Sequence, residues 1–192
     1  MKTALPQPVW HTGRAAFAAA FFASIAICTA AGAAPRDPIV RPGGSAGKLP
    51  AEVGEGQPVL LHFWATWCAA CQTEFPKLKA LLLGLPARGV AVALVSIDTP
   101  EQVHVAGAQL DAYGLSALPS YLLDAPKPEP VAKAIGKPQW DGALPATFLY
   151  DRRGRLVRSF IGQVQPAALE KAIGRLKRRA RAGTPTPAPP KG

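Results

Sequence analysis

Two cysteines spaced two residues apart, Cys68 and Cys71, sit where an apolar run meets a helix-forming stretch, and that junction constrains the chain more than any other feature. The run Val59 to Ala65 reads as a strand buried on both faces. From about Ala69 to Leu85, apolar Phe75, Leu78, Leu82 and Leu85 recur at helical spacing, with Pro76 expected to kink the helix. Strand, C-x-x-C, helix places Cys68 at a helix N-terminus, where unpaired backbone N–H groups and the helix dipole favour an anion. A thiol in such a setting falls from a pKa near 8.5 to roughly 3.5–7.5. Cys71, one turn on, is placed to close a disulfide with it. The pattern implies a redox-active dithiol.

The rest of the chain supplies the remaining elements. Val90 to Ile97 is a second buried strand, and strand–helix–strand implies a parallel pair with a right-handed crossover. Pro100 to Tyr113 reads as a helix stopped by Gly114, Ser120 to Asp124 as a short strand and Glu129 to Ile135 as a short helix. Ala146 to Tyr150 and Leu156 to Ile161 flank Asp151-Arg152-Arg153-Gly154 and read as a hairpin. Pro166 to Arg181 is amphipathic, with Leu169, Ala172, Ile173, Leu176 and Ala180 on one face. The expected class is α/β, a central mixed sheet flanked by helices, built as a βαβ half followed by a ββα half.

The ends set the organisation. Lys2, His11 and Arg14 precede an uncharged stretch from Ala15 to Ala34, closed by small residues with Ala31-Gly32-Ala33 fitting an A-x-A cleavage site. Residues 1–34 therefore read as a signal peptide or, by length, a signal anchor with residues 15–34 in the membrane. Cys28 does not mark a lipoprotein, because Ile27 stands where lipidation signals want a small residue. Residues 35–56, rich in Pro, Gly and Ser, read as a linker, residues 57–181 as the folded domain and residues 182–192 as a disordered Pro-rich tail. The expected location is the periplasm or the outer face of the cytoplasmic membrane. Net charge is +10, and loss of Lys2 and Arg14 with the leader leaves +8. No aromatic–basic nucleic-acid motif accompanies that charge, so no nucleic-acid partner is expected. Outside the leader only one cysteine pair remains, too few for a disulfide-stapled scaffold.

The run Phe63-Trp64-Ala65-Thr66-Trp67-Cys68-Ala69-Ala70-Cys71, then Glu74-Phe75-Pro76, then Leu144-Pro145-Ala146-Thr147-Phe148-Leu149-Tyr150-Asp151, resembles the thioredoxin superfamily, and within it the exported TlpA- and ResA-like branch. The resemblance covers roughly Gln57 to Arg181. It implies the thioredoxin fold and an exported thiol–disulfide oxidoreductase, acting in many relatives as a reductant, for example in cytochrome c maturation. It implies Cys68 as the attacking thiol, Cys71 as the resolving thiol with which it forms a disulfide, Pro145 as the cis-proline facing them, and Glu74 as a buried acid. The chain departs from the pattern at His62, where relatives often carry Asp or Asn, and at Ala70, where thioredoxins carry proline.

Other readings of these residues compete. The cysteines could be half of a zinc site, but only His62 and His104 could join them after the leader and neither has ligand spacing. Glu74 is either a solvated helix residue or, buried beside the dithiol, an acid of raised pKa that exchanges a proton with Cys71. His62 is either a satisfied core histidine or a proton relay, expected to be uncharged because burial lowers its pKa. Trp67 is expected to border the dithiol, and Leu144 to offer its backbone to a bound peptide. Trp140 reads as packing or as a groove wall. The partners expected are thiol- or disulfide-bearing exported proteins and a membrane-embedded thiol reductant or oxidant, with the domain a monomer. No nicotinamide or flavin motif is present and no cofactor is needed. The alternative from another class is a copper(I) metallochaperone using the same two thiolates. A thiol peroxidase would need a peroxide pocket around a lone cysteine, and no such motif is visible.

Overall fold

The structure is a computed structural model and describes residues 36–182. The leader expected over residues 1–34, and residues 183–192 of the expected tail, lie outside the described residues. Six strands form one mixed sheet: β1 (Ile39–Pro42), β2 (Val59–Trp64), β3 (Ala91–Ser96), β4 (Ser120–Asp124), β5 (Ala146–Tyr150) and β6 (Leu156–Ile161). Their order across the sheet is β1-β4-β3-β2-β5-β6. The first four are mutually parallel, and β5 and β6 add antiparallel at the β2 side. Five α-helices among the described residues cover it: α1 (Leu49–Gly54), α2 (Ala69–Gly84), α3 (Val103–Ala112), α4 (Glu129–Ala134) and α5 (Pro166–Ala182).

Strand periodicity sorts the core into two layers. On one face of β2, Leu60 and Trp64 meet Phe75, Leu78 and Leu82 of α2, together with Ala106 and Leu110 of α3 and Leu169, Ile173 and Leu176 of α5. On the other, Leu61 and Phe63 meet Leu49 of α1, Val131 of α4, Trp140 and Phe148. All six residues of β2 are buried, as its unbroken apolar run requires. His62 falls between Leu60 and Trp64 in that alternation, so it lies on the α2 face. α2 runs as one helix with Pro76 inside it.

The described part of the expected linker, residues 36–56, is structured. It supplies the edge strand β1, a 3₁₀ turn over Gly43–Lys48 and α1. The glycines that suggested flexibility serve close packing. A Cβ on Gly43 would lie 2.5 Å from the Ala125 Cβ, and one on Gly47 would lie 2.6 Å from the Ala134 carbonyl oxygen. Ala46 and Leu49 are buried against the same segment.

Candidate active site

The site begins where β2 ends. The chain leaves Trp64 and turns through Ala65–Trp67, held by Asp98 just beyond β3. One Asp98 carboxylate oxygen accepts from the Thr66 hydroxyl at 2.7 Å, and both accept from the Thr66 N–H at 3.0–3.1 Å. Ser96 donates its hydroxyl to the same carboxylate. Gln72 on α2 donates its side-chain N–H to the Thr66 carbonyl at 2.7 Å. The turn that delivers Cys68 is thus tied to a neighbouring strand and to the helix it starts.

Cys68 is the N-cap of α2. Its backbone is extended, and its Sγ accepts a hydrogen bond from the Cys71 N–H at 3.1 Å. This is the helix-terminal position at which a thiolate is stabilised. Cys68 and Cys71 are joined as a disulfide, with their Cα atoms 5.3 Å apart. The two sulfurs are unequal: Cys68 is 7% exposed and Cys71 0%. Beside them Trp67 is 63% exposed.

Beneath the dithiol four residues from four separate segments form a polar column inside the apolar core. Glu74 lies one helical turn past Cys71 on the same face of α2. Its Oε1 accepts from the Val164 N–H in the segment ahead of α5. Its Oε2 lies 3.6 Å from the His62 Nε2. The His62 Nδ1 lies 2.9 Å from the Thr147 hydroxyl, across the register pair that sets His62 opposite Thr147. Burial pushes the Glu74 carboxyl up to about 7, opposed by the Val164 amide and by the charge of Lys77. Burial pushes His62 down to about 4. Each group therefore favours its neutral form, and an acid poised near 7 can exchange a proton at neutral pH.

Pro145 precedes β5 at the end of β2 from which the chain runs on to Cys68, and the Leu144–Pro145 peptide is cis. Leu144 is half-buried and packs against both core layers. Trp67 and the mostly buried Trp140 line a groove of about 250 Å3 with Ile97, Pro126, Val131 and Asp141. Trp140 also packs edge-to-face on Phe63 and Phe148 and donates its indole N–H to the Ala143 carbonyl, so one residue holds the core and walls the groove. A larger cavity of about 360 Å3 between β6 and α5 contains none of the candidate site residues. Thr147, Val164 and Asp98 are the residues that sequence reasoning did not single out. Thr147 lies inside the quoted Leu144–Asp151 motif, but only strand register shows that it meets His62.

Comparison with known proteins agrees with this architecture. Over 116 residues the chain is 29% identical to the thiol-disulfide oxidoreductase ResA of Bacillus thuringiensis (strain Al Hakam), covering 60% of this chain and 61% of the relative. It is 30% identical over 124 residues to the thiol:disulfide interchange protein HelX of Rhodobacter capsulatus, covering 64% and 62%. The chain thus spans about three-fifths of the length of these curated relatives. A thiol:disulfide interchange protein of the thioredoxin family from Chlorobium tepidum superposes with a TM-score of 0.52 at 19% identity, over 66% of this chain and 83% of the other. A DsbF homologue from Corynebacterium diphtheriae superposes with a TM-score of 0.54 at 22% identity, over 66% and 75%. The fold is therefore thioredoxin-like. Residues 43–159, more than half of the chain, match the AhpC/TSA family, and the protein belongs to that family within the thioredoxin superfamily.

Proposed function

We propose that this chain is an exported thiol–disulfide oxidoreductase that reduces disulfides in partner proteins through Cys68 and Cys71. The observation that carries the reading is the inequality of the pair. Cys68 caps a helix and keeps some access, while Cys71 is sealed behind it. In the reduced protein the Cys68 thiolate attacks one sulfur of a partner disulfide. The other partner sulfur leaves as a thiolate, and a mixed disulfide forms. Cys71 then gives its proton to the Glu74 carboxylate and attacks Cys68 Sγ. The partner departs with two more electrons, takes up protons from water and Glu74, and Cys68–Cys71 remains oxidised. A second thiol protein, membrane-embedded, returns the two electrons.

Trp67, Leu144 and Pro145 form the rim on which a partner segment docks, and the groove between Trp67 and Trp140 takes its apolar side chains. The resemblance to ResA-like proteins supports a reductive role, with cytochrome c maturation the leading process. Thiolate trapping tests the chemistry. Cys71→Ser should accumulate mixed disulfides with exported partners, and Cys68→Ser should not. Equal trapping by both variants would overturn the assignment of the attacking thiol.

A further inference from the structure

Among the described residues four buried side-chain polar atoms have no hydrogen-bond partner, and two of them face each other: His62 Nε2 and Glu74 Oε2, 3.6 Å apart. The opposite end of each group is occupied, by Thr147 and by the Val164 amide. Both side chains are buried, so water does not readily substitute. The gap is slightly too long for a hydrogen bond, and a shift of about half an ångström by either group would bring it into range.

Chemistry allows this line to hold one proton and no other number. With none, a bare ring nitrogen faces a carboxylate and two acceptors oppose each other. With two, a ring N–H meets an acid O–H. Glu74, however, must exist as both acid and carboxylate if it exchanges a proton with Cys71. A neutral imidazole can meet both states, because its single N–H sits on either nitrogen. When Glu74 is an acid, it donates to bare Nε2 and the Nδ1–H donates to the Thr147 oxygen. When Glu74 is ionised, Nε2–H donates to Oε2 and Nδ1 accepts from the Thr147 hydroxyl. Threonine suits this position because a hydroxyl both donates and accepts.

We propose that His62 is a positioning residue for Glu74, exchanging tautomers so that one proton lies between Nε2 and Oε2 whether Glu74 is acid or carboxylate. The balance is simple. Glu74 gains or loses one proton, to or from Cys71 or solvent, while the ring carries one throughout. The groups around the pair are consistent with this. Lys77 and Cys71 lie on α2 and Cys68 caps it, Thr147 faces from β5, and the β3 residue paired with His62 is the apolar Leu94. The α5 side contributes the Val164 amide, and Asp98 is engaged by Thr66 and Ser96. Burial keeps the ring uncharged near neutrality, and Glu74 changes state near pH 7. The inference rests on the reading of Glu74 as the proton acceptor for Cys71.

Nitrogen NMR of the oxidised protein carrying 15N-histidine, from pH 5 to 9, tests it without any variant. The His62 ring should stay neutral and move its proton from Nδ1 to Nε2 around the same midpoint as the Glu74 carboxyl. In Glu74→Gln the pH-driven exchange should vanish, since an amide does not change its proton count. Thr147→Val should bias the ring to one tautomer and Thr147→Ser should restore the switch. His62→Leu should make Glu74 a roughly tenfold weaker acid, raising the midpoint of its titration by about one pH unit. One tautomer across the whole range in the unmodified protein, or a switch that survives in Glu74→Gln, overturns the proposal. A ring fixed in one tautomer in a protein that still reduces insulin disulfides sinks the pairing alone. A switching ring in a protein that reduces no disulfide sinks the proposed reaction and leaves the pairing intact.

Discussion

Replacing Glu74 by glutamine should tilt the stability of the domain against pH, and the tilt can be worked out from two buried groups. Glu74 is held up from its ordinary 4.5 to about 7. The folded protein therefore keeps a proton that the unfolded chain has released. That stabilisation is complete below pH 4.5 and is lost as pH rises towards 7, by about 3 kcal/mol at about 1.36 kcal/mol per pH unit. His62 is held down from 6.5 to about 4. Here the unfolded chain binds a proton that the folded protein refuses, so stability rises from about pH 4 to 6.5 by a similar amount, on the order of 3 kcal/mol. The two slopes oppose each other over nearly the same window. Between about pH 4.5 and 6.5 the folded pair holds one proton, on Glu74, and the unfolded pair holds one, on His62. The pair therefore contributes almost no pH dependence while intact. Glu74→Gln leaves the His62 slope alone, and the variant should gain about 3 kcal/mol relative to the unmodified protein between pH 4 and 6.5. Urea unfolding of both oxidised proteins at half-unit pH steps, followed by tryptophan fluorescence, measures the difference directly. Contributions from Glu101, Asp151 and every other group are common to both and cancel. Parallel stability curves would show that the two groups are not buried as a pair.

Other consequences are as direct. Iodoacetamide at pH 7 should modify Cys68 of the reduced protein much faster than Cys71, as mass spectrometry of the labelled peptide will show; equal labelling contradicts the burial difference. Trp67→Ala should raise KM for a protein disulfide several-fold with little change in kcat, and equal loss in both would remove Trp67 from docking. Gly47→Val should cost roughly 1–3 kcal/mol by urea unfolding, because its Cβ meets a backbone carbonyl that cannot yield, whereas Gly44→Ala, with nothing within 4 Å, should be neutral. The Cys68–Cys71 couple equilibrated with glutathione should lie closer to thioredoxin, about −270 mV, than to the oxidant DsbA, about −120 mV; the opposite result would reverse the direction of electron flow.

The central fold was legible because its elements announce themselves locally. β4, β5 and β6 match their expected residues, and β2, β3 and α2 differ by a residue or so at the ends. Residues 36–56 carry structure where a linker is expected, and the reason is physical. Proline and glycine mark flexible chain and tight packing alike, and only the approach of Gly43 and Gly47 to the Ala125–Ala134 segment distinguishes the two. Glu74 was visible from its helical spacing to Cys71. His62 stood out as a polar residue in an apolar strand. Their meeting at 3.6 Å was not visible, nor was the third member, Thr147, because strand register is set by the whole sheet. The Val164 amide could not have been read at all, since a backbone N–H carries no side-chain signature.

The two hydrogen bonds that Gln163 makes to Ala70 and Thr73, and the Val164 bond to Glu74, fasten the start of α5 to the first turns of α2 across some ninety residues of sequence. The order in which these segments are synthesised therefore matters. Both cysteines emerge long before the segment that seals the acid behind them. Until residues 163–176 arrive, Glu74 lacks the Val164 amide, and the core beside α2 lacks Leu169, Ile173 and Leu176. A nascent or C-terminally clipped chain would therefore carry both cysteines and Glu74 without the bond that fixes the carboxyl in place. The helix start at Cys68 is local to its own segment, but the setting of the acid behind it is completed only by the last part of the fold.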